Sequence, residues 1–154
     1  MTVEAIRQRL NDLALECGFK PLEVVGRTLC SDIWSVTVNV TAPQDVCHVR
    51  IYDFETDEIQ IQFSSMPVFL ARPFERAKTD AVLLMRRNGG QNKGFWRFDY
   101  EIQGNCQQFV VFENLATLDA QKFYNAALEV ISEDQWWQNV LEERARTWAD
   151  DPWE

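Results

Sequence analysis

Apolar residues recur along this chain with two different periods. From Val3 to Cys17 they fall at helical spacing. Val3, Ile6, Leu10, Leu13 and Cys17 form one stripe, with Glu4, Arg7, Arg9, Asn11 and Asp12 between them. Thr2 can cap this helix, and Gly18 fits its stop. A short strand is expected at Leu22–Val25. The period then changes to two. Trp34, Val36, Val38 and Val40 alternate with Ser35, Thr37 and Asn39. Cys47, Val49 and Ile51 alternate with His48, Arg50 and Tyr52, and Ile59, Ile61 and Phe63 alternate with Gln60 and Gln62. Such alternation predicts strands with one face in the core and the other toward solvent.

The connections in this block are short. Thr41–Asp45 and Asp53–Asp57 each leave room for a turn and no more, so neighbouring strands are expected to be antiparallel; a parallel crossover needs a dozen residues or more. A loop carrying Pro67 and Pro73 follows. Pro73 suits the first turn of a helix reaching about Arg87, with Phe74, Ala77, Ala81, Leu84 and Met85 as its apolar face. Arg86 and Arg87 complement the end of its dipole, and Gly89-Gly90 stops it. Phe95–Ile102 and Cys106–Phe112 flank Gln103-Gly104-Asn105 and read as a hairpin, with Trp96, Phe98, Tyr100 and Ile102 on one face. Asp119 opens a further helix with Ala120, Phe123, Ala127, Val130 and Ile131 at core spacing. Ser132-x-x-Gln135 reads as a capping box, so a second helix or a kinked continuation is expected from there to about Trp148. Val38, Ile51, Ile61 and Phe98 are the central core positions of their strands.

The resulting order, α-β-β-β-(β)-α-β-β-α, is an α+β fold with an antiparallel sheet. Residues 1–149 are expected to form a single domain, followed by an acidic mobile tail at 150–154. The run Val82-Leu-Leu-Met-Arg-Arg-Asn88, then Gly94-Phe-Trp-Arg-Phe98, Phe109-Val-Val-Phe112 and Leu118-Asp-Ala-Gln-Lys-Phe123 resembles the bacterial YbjN-type domains of the type III secretion chaperone-like fold. The resemblance covers roughly residues 2–141 and brings no catalytic motif. It implies a sheet with helices packed on one face, a dimeric tendency and protein binding. The six tryptophans and the tail after Leu141 depart from the family pattern.

Composition narrows the partners. The chain has 154 residues, 24 acidic against 15 basic, and a formal charge of -9. That balance argues against nucleic acid or an anionic membrane as partner. No apolar stretch approaches a membrane span, and Met1–Leu10 does not read as a signal peptide, so a cytoplasmic location is expected. Cys17, Cys30, Cys47 and Cys106 form no close pair, and His48 is the single histidine. Zinc-ligand spacing and triad logic are both missing, so no metal, no cofactor and no enzymatic activity are expected. His48 reads as an exposed structural residue beside Arg50 and Tyr52.

Three other features invite chemistry and lose to plainer readings. Gly89-Gly-Gln-Asn-Lys-Gly94 lacks the preceding strand and the Ser or Thr of a phosphate loop, and reads as a connection. Asp53, Glu55, Asp57 and Glu58 lack the glycine and distal glutamate of a calcium loop. The aromatic strand from Phe95 with Arg97 resembles a base-stacking platform, but no basic stripe accompanies it. Trp136 and Trp137 lie about 100° apart on a helix and cannot share one core line. With Val140 and Leu141, above the acidic Glu142 and Glu143, they form the candidate protein interface, either toward a partner or a second copy. The favoured reading is a non-enzymatic, chaperone-like homodimer that binds a protein segment. The alternative is a small-ligand-binding or enzymatic domain with a pocket between sheet and helices.

Overall fold

The computed structural model describes residues 2–27, 32–37, 45–53, 58–66, 68–70, 74–88, 93–99 and 105–147. These residues form an α+β fold built on an antiparallel sheet. Helix α1 (Val3–Glu16) leads into β1 (Glu23–Arg27), β2 (Asp32–Thr37), β3 (Val46–Asp53), β4 (Gln60–Ser64) and β5 (Val68–Leu70). Helix α2 (Phe74–Asn88), β6 (Phe95–Asp99), β7 (Asn105–Asn114) and α3 (Ala120–Thr147) complete the order. Thr2 Oγ1 accepts from Ala5 N at 3.1 Å and caps α1, and Gly18, at φ 80°, ends it in a left-handed turn that favours glycine.

Each strand pairs antiparallel with its sheet neighbours, in the order β1-β2-β3-β4-β7. Strand β7 is long enough to serve three partners. Its residues 110–114 pair with β4, and 105–107 continue along the same edge against β5. Residues 106–110 pair with β6 on the opposite edge. Strand β5 lies where the sequence pattern predicts a loop; Val68-Phe-Leu70 is too short to show alternation, and its pairing to β7 decides its form.

One contiguous core lies between the sheet and the helices. Trp34, Val36, Cys47, Val49, Ile51, Ile61, Phe63, Phe109 and Val111 supply the sheet side; Ile6, Leu10, Leu13, Leu84, Phe123, Ala127 and Val130 supply the helices. Phe63 meets Phe123 edge to face at 5.1 Å, the favourable geometry for two rings. Val110 is equally buried but stands outside that core, on the other face of the sheet. Ile51 and Ile61 are central as expected, while Val38 and the Phe98 side chain lie outside what is described. Val3 and Met85, placed on apolar faces by spacing, are exposed.

The final helix is one unbroken element of 28 residues. Ser132 lies exposed in its middle, and Gln135 reaches across to Asp45, with Nε2 donating to Oδ1 at 2.7 Å. The capping-box pattern is therefore no boundary. Core contacts on both sides of Ser132, through Val130, Ile131 and Trp137, hold the helix continuous. Its true start is Asp119, whose carboxylate accepts from Lys122 N at 2.8 Å.

Candidate functional site

Three tryptophans meet where α3 crosses β6 and β7. Trp96 lies 5.9 Å from Trp137 and 6.4 Å from Trp136, ring centre to ring centre. Trp137 is completely buried, and its Nε1 donates to Gln107 Oε1 at 3.2 Å. It belongs to the chain's own core and, being buried there, is no part of the candidate interface. Trp136 is half-buried beneath Arg87, whose guanidinium carbon sits 4.2 Å from the ring centre. Val140 and Leu141 are half-buried and also pack against the core. The two adjacent indoles thus diverge as helix geometry requires, one into the core and one under an arginine.

Charged groups line this seam in pairs. The buried Glu133 carboxylate accepts from Arg87 Nε at 3.1 and 3.2 Å, from Arg87 Nη2 at 2.9 Å and from Trp96 Nε1 at 3.1 Å. A carboxylate can enter a core on such terms, because its lone pairs are filled and an arginine balances its charge. Asp80 of α2 pairs with Arg144 of α3, and Lys93 Nζ pairs with Glu113. Asn88, the last residue of α2, donates Nδ2 to Trp96 O at 3.0 Å and accepts from Trp96 N at 2.6 Å. None of these partners is readable from spacing, since each couples residues far apart in sequence.

The described end of the glycine-rich connection binds an anion that belongs to the chain itself. Lys93 N and Gly94 N donate to the two oxygens of Glu129, at 2.7 and 3.2 Å. A Cβ at Gly94 would lie 2.5 Å from the Val110 carbonyl oxygen and 2.6 Å from Phe109, so glycine is required by close approach.

The opposite sheet face carries no helix among the described residues. Ring pairs cross it from β3 to β6: Tyr52 lies 4.6 Å from Phe112, and Phe112 lies 5.9 Å from Phe95. Tyr52 is 50% exposed and Phe95 is 40% exposed. Arg50 stands over the Tyr52 ring at 5.7 Å and donates Nη2 to Gln62 Oε1 at 3.1 Å. Register places His48, Gln60, Gln108 and Arg97 on the same face. Its small members are not solvated, contrary to simple alternation: Ser35, Gln62 and Ser64 are buried. This face is the candidate site. Alternation separates its residues from the core, but the ring row itself comes from pairing β3, β4, β7 and β6 in register.

The remaining candidates have little chemistry. His48 is half-buried rather than exposed, and burial pushes its pKa below the ordinary 6.5. Burial likewise raises the thiols of Cys17 and Cys47 above their ordinary value, which suppresses the nucleophilic thiolate. Burial raises the Asp134 carboxyl, and a hydrogen bond from Gln138 partly offsets that. Among the described residues, no three His, Cys, Asp or Glu side chains gather to hold a metal ion, and no helix is long and apolar enough to cross a membrane. Cys30, the turn at 54–57, the connection at 89–92 and the segment 150–154 lie outside the described residues. Comparison of the chain with protein-family models and with curated proteins finds no match to either.

Proposed function

We propose that this chain is a non-enzymatic, cytoplasmic, chaperone-like protein that binds a segment of another protein on the sheet face opposite its described helices. The observation behind this reading is the row of half-exposed rings, Tyr52, Phe112 and Phe95, on a face that carries no helix among the described residues. Monomeric domains rarely keep aromatic side chains together at the surface without a partner for them. Aromatic residues and arginine are also the side chains most enriched where proteins bind one another. The suppressed thiols and half-buried histidine favour binding over catalysis. Selection of a displayed random-peptide library on wild type and on a Tyr52→Ser/Phe95→Ser variant tests the reading. Enrichment on wild type alone supports it; equal enrichment on both overturns it.

The proposal includes self-association as a homodimer. Sedimentation across a dilution series checks this, and a monomer at micromolar concentration removes that part. A small-ligand site between sheet and helices is a second reading with one observation in its favour. Gln107 Nε2 is buried beside Trp137 with no hydrogen-bond partner among the described residues.

A further inference from the structure

We infer that Asn88 is a modification site: its side-chain amide is lost as ammonia by spontaneous deamidation, and two hydrogen bonds to Trp96 hold that reaction in check in the folded chain. The first ground is sequence. Asn88 is the one asparagine of the chain that is followed by glycine. Deamidation, the reaction that makes asparagine thermolabile, starts when the main-chain nitrogen of the next residue attacks the carboxamide. Glycine has no side chain to crowd that nitrogen and leaves the backbone free to turn toward it.

The atoms balance with water as the only co-reactant. The main-chain nitrogen of Gly89 gives up its proton and bonds to Asn88 Cγ. The Cγ–Nδ2 bond breaks, and Nδ2 leaves with that proton as ammonia. Water then opens the resulting five-membered imide. Cleavage at Cγ yields aspartate; cleavage at the former main-chain carbonyl yields isoaspartate, which lengthens the main chain by one carbon. Nothing is oxidised or reduced.

The second ground is the restraint. Asn88 is the last residue of α2 and is half-buried. Its Nδ2 donates to Trp96 O at 3.0 Å, and its Oδ1 accepts from Trp96 N at 2.6 Å. Turning Cγ back onto its own main chain gives up both bonds, so the reaction runs through a locally opened form of the junction between α2 and β6. Trp96 is itself fixed: its indole donates to Glu133 and packs against Phe109 and Trp137. The product does not fit the same place. A carboxylate accepts but does not donate, so aspartate keeps the bond from Trp96 N and sets its second oxygen against Trp96 O. Deamidation therefore leaves α2 and β6 less firmly joined, and no reverse reaction restores the amide.

The test follows conversion by peptide mapping in warm, mildly alkaline buffer, on the folded full chain and on a synthetic end-blocked peptide of residues 84–93. The peptide should convert to a mixture of aspartate and isoaspartate at residue 88. The full chain should convert at the same residue about ten- to a hundredfold more slowly. Gly89→Ala in the peptide should slow conversion by about tenfold. A peptide that does not convert at residue 88 overturns the site. A full chain that converts as fast as the peptide overturns the restraint. A full chain still intact after many hundreds of peptide half-lives overturns modification of the folded protein. Urea midpoints check the bridge separately. Asn88→Asp should lower the midpoint, while Asn125→Asp, on exposed α3 surface, should move it less. An Asn88→Asp midpoint equal to that of wild type overturns the role given to Trp96.

Discussion

On one side of β7, Phe109 and Val111 lie buried under α3; on the other side of the same strand, Phe112 lies half-exposed between Tyr52 and Phe95. The first set belongs to a core whose polar intrusions are paired, as Glu133 is with Arg87 and Trp96. The second set has rings, arginines and amides arranged across four strands with no helix on them among the described residues. Burial on the first side serves stability, and the rings on the second side stay partly open to solvent. The contrast also separates two kinds of aromatic residue that composition treats alike.

The largest effects should therefore come from the helix side. Trp137→Ala should destabilise the fold by about 3–5 kcal/mol in chemical denaturation, because it removes a large buried ring and leaves Gln107 without its donor. Phe95→Ala should change stability by less than about 1 kcal/mol, the scale of one cross-strand side-chain contact. Similar losses from the two would mean that the faces are not divided as described. Next comes Glu133→Gln, expected to destabilise by about 1–3 kcal/mol. It removes the charge facing Arg87 and substitutes an amide for a carboxylate that accepts from two side chains. Arg87 stays partly in water, so the loss should fall short of that for a fully buried pair.

The pH response should be smaller and of opposite sign on the two sides. His48, on the ring side, has its folded pKa depressed below 6.5 by burial. The unfolded chain then binds the proton more readily, and stability falls as pH drops below about 6.5. His48→Gln should flatten that slope in denaturation midpoints measured between neutral and mildly acid pH. Asp134, on the helix side, has its folded pKa raised above 3.8 by burial. Its ionisation opposes folding, so stability from this group falls as pH rises through the raised value. Asp134→Asn should accordingly raise the midpoint at neutral pH.

Much of the scaffold was legible because its signals are local. Alternation located β2, β3, β4 and the aromatic start of β6, and capping residues marked the start of α1 and of α3. What failed was whatever depends on distant partners. Ser132-x-x-Gln135 has the composition of a helix start, yet Gln135 is engaged with Asp45, ninety positions away. Helix geometry makes Trp136 and Trp137 diverge, but spacing cannot say which indole turns inward; Gln107 and Arg87 decide that. Strand β5 carries three residues, fewer than a period needs to declare itself. The ring row was half visible, since Phe95, Arg97, Arg50 and Tyr52 were placed on alternating strands, while their assembly with Phe112 required the sheet order.

Asn88 closes part of the sheet's outer margin. Trp96 sits on the outer strand β6, and its main-chain N–H and C=O, turned away from β7, are both engaged by one side-chain amide. The asparagine acts as a single rung of a strand that is not there. A peptide arriving at this margin would have to displace it before any backbone ladder could start, and at the far margin the bulge after Val24 interrupts the regular spacing a ladder needs. Recognition by main-chain addition accepts almost any extended sequence. With that route obstructed at Trp96 and after Val24, a partner on the ring face would have to be told apart by its side chains, and edge-to-edge pairing of two such sheets is hindered at the same two places.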